Sequence, residues 1–479
     1  MNRCQAVAFA CVLSCLSGLS LAGEAETARA AQWLDAHREN TPMLRQFLQL
    51  MPKGADLHNH LSGAVYAETY LKLAADASWC VDTVKLQFAK PPCGGSTVPA
   101  QGLPGSTYGA MVDHLSMRNV EFAGKSGHDQ FFATFGLFGP VGGLPESFTV
   151  MQAEVRDRAA SQNIQYLELM TTVQGSGVRA LGRELAWGGG AEPDLARRLQ
   201  WLIDNGLSGL VEAGRREMDE ADAAYTRTQS CGTPAARPGC QVAVRWLQQT
   251  IRTGPPEEVF AQLAFAFELV KADSVRMVGV QLVAPEDDPV ALRDYRLQME
   301  MVGFLARRYP DVKVALHAGE LTLGLVPPAH LNSHIRDAVR IAGAHRIGHA
   351  VDIGYEADAA NTMAEMSRRQ VAAEICLTSN DLILNVKGKD HPLPAYLAAK
   401  VPVVLASDDE GVSRIDLTHE YLRAAQTYRL DYPTLKQIAR NSLTYSFLPA
   451  RDKQEALRRQ EQAFEAFEQL PQWSQDSKP

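Results

Sequence analysis

Short apolar runs alternate along this chain with longer stretches in which apolar residues recur every third or fourth position. The short runs lie at 55–58, 165–170, 242–246, 277–283, 312–317, 346–349, 371–376 and 401–407. Runs of that length bounded by turn residues predict buried strands, while the intervening patterns at 257–271 and 294–308 predict helices. Eight strand-like runs with helical crossovers predict an α/β fold, a (β/α)8 barrel of the TIM type, in preference to an open sheet. Pro402 fits at the beginning of the last strand, where a missing N–H is tolerated. Before the first run, residues 23–50 predict an amphipathic helical extension with Trp33, Leu34, Leu44, Phe47 and Leu48 on its apolar side. The barrel is expected over 51–450 and a C-terminal helix and tail over 451–479. Two segments exceed what a minimal barrel needs: a Gly/Pro-rich insertion near 76–107 and a surface excursion near 219–240.

Composition changes this picture little. Of 479 residues, 46% are hydrophobic and 21% charged, which describes a globular protein with ample core material. A net charge of −8 and the lack of a basic run exclude nucleic acid and acidic membrane surfaces as expected partners. Residues 1–22 read as an export signal: Arg3 is the positive end, 6–16 the apolar core and Ser20-Leu21-Ala22 the small-x-small cleavage site. The apolar core is too short to span a bilayer, so no transmembrane segment is expected. The expected location is therefore periplasmic or secreted. A second reading of the same stretch is lipid attachment at Cys15, although Leu13 fits that pattern poorly. Beyond the signal, Cys80 with Cys93 and Cys231 with Cys240 form two close pairs flanked by Gly and Pro, expected to be bridged in an oxidising compartment. Cys376 lies in an apolar run and is expected to be a buried free thiol.

Candidate chemistry collects where the strand-like runs end. His58 and His60 close the first run, His317 and Glu320 the fifth, His349 the sixth, and Asp408 and Asp409 the eighth. In an α/β barrel those ends converge on one face. His58 and His60, two apart on an extended segment, point to the same side, as two imidazoles gripping one ion would. With His317 and Asp408 they make a three-nitrogen, one-oxygen set suited to a single Zn2+ with a position left for water. Glu320 would act as an acid beside the ion, with Ala318 and Gly319 leaving room for a flat substrate. As a bare tetrapeptide, His317 to Glu320 reads equally well as the start of a helix with a first-turn carboxylate. His349 would orient or deprotonate a bound water, or would be a buried structural histidine.

Taken together, these residues resemble the adenosine deaminase family. Met51-Pro-Lys-Gly-Ala-Asp-Leu-His-Asn-His-Leu-Ser-Gly-Ala64 is similar to its first signature. Leu316 to Glu320, Arg346 to His349 and Leu405 to Gly411 follow in the family's order. The export signal, the Met51 to Gly54 lead, the cysteine loop and the stretch 279–287 are most similar to the family's extracellular, growth-factor-related branch, although the N-terminal extension is short for that branch's dimerisation domain.

The resemblance implies zinc-dependent hydrolytic deamination of adenosine or 2′-deoxyadenosine. His58, His60, His317 and Asp408 would hold the metal, and Glu320 would protonate ring N1. His349 would orient and help deprotonate water, while Asp409 would hydrogen-bond N7. Phe131 and Phe135, one helical turn apart, would cover the base or simply pack their helix on the barrel. Glu374 would support the ligands from behind. Three positions depart from the family pattern: Ser62 stands in place of an aspartate on the ribose side, Ala284 in place of a glycine whose N–H meets the purine, and Glu410 in place of proline. They keep two alternatives open: a related amidohydrolase acting on another aminopurine or modified adenosine, and a nucleoside-binding or signalling protein with little catalysis. Oligomeric state is not legible.

Overall fold

The computed structural model describes residues 24–122, 124–188 and 191–473. The expected export signal at 1–22, with Cys15, and the end of the expected tail at 474–479 lie outside them.

Eight parallel strands form the centre: β1 (Gly54–His60), β2 (Ile164–Thr171), β3 (Ala243–Ile251), β4 (Met277–Val283), β5 (Lys313–Ala318), β6 (Arg346–His349), β7 (Ala372–Ile375) and β8 (Val403–Leu405). Each pairs with its neighbour in chain order. The last meets the first through a parallel bridge between Asn59 and Asp408. There the Asp408 N–H donates to the His58 carbonyl at 2.9 Å, and the Asp408 carbonyl accepts from the His60 N–H at 3.2 Å. The pattern-derived barrel is thus the observed architecture. β4 shows why its strands read as uninterrupted apolar runs, since every residue of it is buried. Pro402 lies just before β8, where its carbonyl accepts from the Ala373 N–H.

The expected N-terminal helical stretch is two helices, α1 (24–37) and α2 (Thr41–Leu50). The break is local chemistry: the Asn40 side chain caps the Met43 N–H, and Pro42 sits in the first turn. Later helices include α3 (Gly127–Gly142), α4 (Ser208–Thr228), α5 (Pro256–Ala272), α6 (Pro289–Arg308), α7 (Tyr432–Thr444) and α8 (Ala450–Glu468). Trp33 and Phe47 of the N-terminal pair stack on each other and meet Trp473, while Phe47 also meets Tyr432 of α7 and Phe467 of α8. Lys53 links this end to the barrel, its ammonium donating to the Leu48, Met51 and Gln162 carbonyls.

The insertion near 76–107 contains a three-stranded antiparallel sheet in which Cys80–Asp82 pairs with Gln87–Ala89 and Thr97–Pro99. Cys80 is bridged to Cys93 and Cys231 to Cys240, and Cys376 is a buried free thiol. The excursion expected from 219 begins only at 229. Residues 219–228 continue α4, because Val211, Gly214, Met218 and Tyr225 bury one face while the rest of its surface is polar.

Candidate functional site

The strand ends bring four donor atoms to one point. His58 Nε2 lies 3.1 Å from His317 Nε2, and His60 Nε2 lies 3.2 Å from it. Asp408 Oδ1 is 3.4 Å from His58 Nε2 and 3.3 Å from His60 Nε2. Ligands at zinc–nitrogen and zinc–oxygen bond lengths around a tetrahedron stand about 3.3 Å apart, so the spacing fits a zinc-sized ion. Asp408 Oδ1 is buried yet has no hydrogen-bond partner, as a ligand oxygen awaiting a cation would. A wider grouping also exists: donor atoms of His58, His317, His349 and Asp408 all lie within 4.8 Å of one another, as do those of His60, Asp408 and Asp409. Both β1 imidazoles thus stand 3.1–3.4 Å from His317 and Asp408, and His349 and Asp409 line the same cavity.

The backbone at these positions is unusual. His349 has φ +67°, Asp408 φ +59° and Ala284 φ +84°, all left-handed and none of them glycine. Such conformations persist where the surrounding structure enforces them and cluster at functional sites. Here they fall just beyond β4 and β8 and at the end of β6, at the mouth of the barrel.

A second layer orients the donors. Glu374 accepts from His58 Nδ1 at 2.7 Å and also pairs with Arg346, whose other carboxylate partner is Glu168. Gln249 Oε1 accepts from His60 Nδ1 at 2.6 Å, and Gln249 Nε2 donates to the Thr172 hydroxyl at 3.1 Å. Both histidines therefore present Nε2 to the ion site. Ser379 donates to the other oxygen of Asp408 at 2.7 Å. Buried Glu286 accepts from the Gly319 and Glu320 N–H groups at 3.1 and 2.9 Å and from His334 Nδ1 at 2.6 Å, which fixes the turn carrying Glu320.

The polarity of one chain of hydrogen bonds is set by a backbone group that can only donate. Leu393 N–H donates to His391 Nδ1 at 3.1 Å, so His391 carries its proton on Nε2. That proton goes to Asn380 Oδ1 at 3.1 Å, and the Asn380 amide then donates to His349 Nδ1 at 3.0 Å. Neutral His349 consequently carries its proton on Nε2, a buried atom with no protein partner, while its Nδ1 also lies 3.5 Å from Glu320 Oε1. Burial pushes His349 down to about 3, which keeps it neutral.

Electrostatics separate the carboxyl groups. Burial, with the charges of Asp408 and Glu286, pushes Glu320 well above the ordinary carboxyl range. Burial also works against Asp408, but the imidazoles of His58 and His60 beside it favour the anion and hold it ionised, well below that range. Burial and the adjacent Asp408 push Asp409 up to about 8. The site thus holds an ionised ligand beside protonatable carboxyls, a division suited to acid catalysis next to a metal.

These groups open on a cavity of about 390 Å³, within the usual range for small-molecule sites. Ser62, Phe131, Phe135, Ala284, Asp409 and Glu320 all line it, so the residues named from the sequence for substrate contact meet in one place.

The sequence profile of the adenosine deaminase family matches residues 210–462. The chain belongs to that family. Adenosine deaminase from Clostridium perfringens is 30% identical over 185 residues, 38% of this chain and 51% of that protein. The Aliivibrio fischeri enzyme is 36% identical over 145 residues, 30% of this chain and 40% of the relative. The chain therefore spans about half the length of these relatives or less. Arabidopsis ADAL complexed with GMP superposes with a TM-score of 0.59 at 20% identity, covering 87% of this chain and 98% of that one. A Burkholderia ambifaria amidohydrolase with bound Zn gives 0.55 at 15% identity, covering 88% and 94%. At these identities the superpositions speak to the fold.

Among the three departures from the family pattern, Glu410 has a structural account. It is buried against Arg158, whose Nη2 lies 2.6 Å from its carboxylate, and Arg158 also binds Glu154 and the Ala64 carbonyl. Burial raises Glu410 to about 7 against the pull of that arginine. Ala284 and Ser62 both face the cavity. Sequence reasoning missed Gln249, Asn380, His391, Phe132 and Thr172, which carry no motif signal of their own. Glu286 lies within the stretch 279–287, where the motif reading assigns it no individual role.

Proposed function

We propose that this chain is a zinc-dependent hydrolase that deaminates adenosine or 2′-deoxyadenosine at C6: water adds oxygen to C6, the C6–N bond breaks, and ammonia leaves. The observation that carries this reading is the set His58, His60, His317 and Asp408, in which both β1 imidazoles stand 3.1–3.4 Å from His317 and Asp408, with a protonatable Glu320 beside it. Zinc held there would supply the Lewis acidity that makes water nucleophilic near neutral pH. Glu320 supplies the proton that ring N1 must gain before C6 accepts a nucleophile. Its hydrogen-bonded turn on Glu286 holds it in position without ordering at the moment of reaction. Asp409, raised to about 8, can donate to N7 at neutral pH. His349 orients the attacking water as a donor from Nε2, and the Asn380 chain supports that role over direct proton abstraction. The three α3 phenylalanines that line the cavity, Phe131, Phe132 and Phe135, exclude water from the apolar side of the base.

The test is the ultraviolet spectrum of adenosine incubated with zinc-loaded protein and with Glu320→Gln. An adenosine-to-inosine shift lost in the mutant, with zinc content and folding unchanged, supports the reading. Wild-type-like turnover by Glu320→Gln sinks the assigned role. Silence of the loaded wild type on adenosine, with turnover of another aminopurine, moves the substrate to the alternative suggested by Ser62 and Ala284.

We also propose export, supported by the signal-like residues 1–22 and by two disulfides. N-terminal sequencing of the mature chain tests it: a start at residue 23 supports cleavage, and an unprocessed Met1 refutes it.

A further inference from the structure

The metal cavity is not the largest concavity at the barrel mouth. Beside it, above the ends of β1, β2 and β3, lies a chamber of about 880 Å³. The two share Ser62, Thr172 and Gln249 as a common wall. Gln249 is fixed by its bonds to His60 and Thr172, whereas Ser62 contributes only a hydroxymethyl group; its carbonyl is held by the Tyr70 hydroxyl at 2.7 Å. A purine carries its reactive C6 and its sugar-bearing N9 at opposite ends. With C6 at the metal donors, Glu320 and His349, the sugar points away from them. Phe131, Phe135, Ala284 and Pro285 account for other walls of the metal cavity, and the wall containing Ser62 is the one with space behind it.

The chamber's chemistry is selective. Met151, Met170, Met218, Leu144 and Phe148 make much of its lining apolar, and thioether-rich surfaces adapt to flexible apolar groups. Its charged groups are Glu217, Glu220 and Arg227, a net negative set. That balance disfavours a phosphate and suits a neutral or cationic group.

Resting on the deaminase reading above, we propose that this chamber receives the 5′ side of nucleosides longer than adenosine. The substrate class it selects is 6-aminopurine nucleosides with an apolar, phosphate-free extension at the sugar 5′ carbon, such as a thioether. The reaction is the same: C6 gains water's oxygen and loses ammonia, and the 5′ group is unchanged.

The probes are adenosine, 5′-methylthioadenosine and AMP, compared as kcat/KM on the zinc-loaded full chain. The thioether nucleoside is expected to match or exceed adenosine and to exceed AMP by at least about tenfold. Ala224 and Ala221 of α4 line the chamber and not the metal cavity. Ala224→Trp, and separately Ala221→Phe, should lower kcat/KM for the thioether nucleoside by about tenfold while adenosine changes less than about twofold. Retained adenosine turnover shows that each variant is folded. Calorimetric binding of the thioether nucleoside to Glu320→Gln, with and without Ala224→Trp, should show the same loss without turnover. Good adenosine turnover with a thioether nucleoside at least tenfold poorer, or with AMP preferred, overturns the chamber's role and leaves the deaminase reading standing. Silence of the folded, loaded protein on all three probes rejects both.

Discussion

Two glycines in the motif segments separate metal binding from catalysis. A Cβ at Gly348 would overlap the His58 ring and stand 2.8 Å from its Nδ1, whereas one at Gly63 would fall inside the Asp409 carboxylate. Gly348→Ala is therefore expected to weaken zinc binding by 10-fold or more, on the order of what disturbed ligand support costs. Gly63→Ala is expected to keep zinc while turnover falls by about 100-fold, as small displacements in an active site do. Zinc titration against a chelator, run beside the adenosine assay, checks the pair; equal zinc loss in both would contradict the assignment of Asp409 to substrate. Asn380→Asp tests the polarity argument. A carboxylate there accepts from His349 Nδ1, so the imidazole must lose its Nε2–H or become cationic. Turnover is expected to fall by about 10- to 100-fold with folding intact, and nitrogen NMR of the His349 ring reports the tautomer. Unchanged turnover with a switched tautomer would make His349 the base. At this scale the sequence was legible where polarity interrupted an apolar run, as at His58, His317 and Asp408. Gln249, Asn380 and His391 were not, because an amide or a lone imidazole acquires its role only when the fold supplies the partner.

Among the elements, α3 decides how the apolar side of the pocket is held. Ser126 caps it, and His128 in its first turn bonds across to Asp287 in the segment after β4 at 3.0 Å. Asp129 lies 3.1 Å from the other ring nitrogen. The hydrogen bond to Asp287 raises the His128 pKa above 6.5 despite partial burial, so the charged imidazole is the clasped form. The stabilisation is complete below the unfolded value of 6.5 and is lost as pH rises through the higher folded value. KM for the nucleoside is expected to rise across that upper window with kcat little changed, and His128→Gln should flatten the dependence. A profile identical in wild type and mutant would show that the clasp does not govern α3. The helix itself was legible as Phe131 and Phe135 one turn apart, but its partner was not, because residues 128 and 287 meet only once the barrel is closed. The misread start of the 219–240 excursion has the converse cause. α4 buries a narrow stripe and exposes many charges, so its last turns resemble a loop until Met218 and Tyr225 find their neighbours. Outside the barrel, reduction of Cys80–Cys93 should expose 76–107 to proteolysis while zinc content and turnover persist, since that sheet contributes none of the residues lining the metal cavity.

For the whole molecule, the ion site and the closure of the barrel are one problem. The donors come from β1 (His58, His60), from β5 across the mouth (His317), and from Asp408 just past β8, whose backbone also bridges β1. Asp56 reinforces the same seam, accepting from the Ser407 hydroxyl and from Asn59. Below the donors, Arg346 holds both Glu168 and Glu374 in the interior, and one arginine does not neutralise two carboxylates. The remaining compensation reaches Glu374 through His58, which without a metal is held up at about 10, against burial, by Asp408 and Glu374. A divalent ion must displace that proton, so its binding strengthens as pH rises and ties β5 to the β1–β8 seam across the mouth. A metal bound there would then stabilise the native barrel. Raising free zinc to about 100-fold over Kd should add about 2.7 kcal/mol to unfolding stability. Thermal melts of chelator-stripped protein across a zinc series measure it. His317→Ala, which leaves the β1–β8 seam untouched, should abolish the zinc dependence while keeping a cooperative transition. A melting temperature indifferent to zinc in the wild type would mean that the four donors, however well spaced, do not bind the ion as a set.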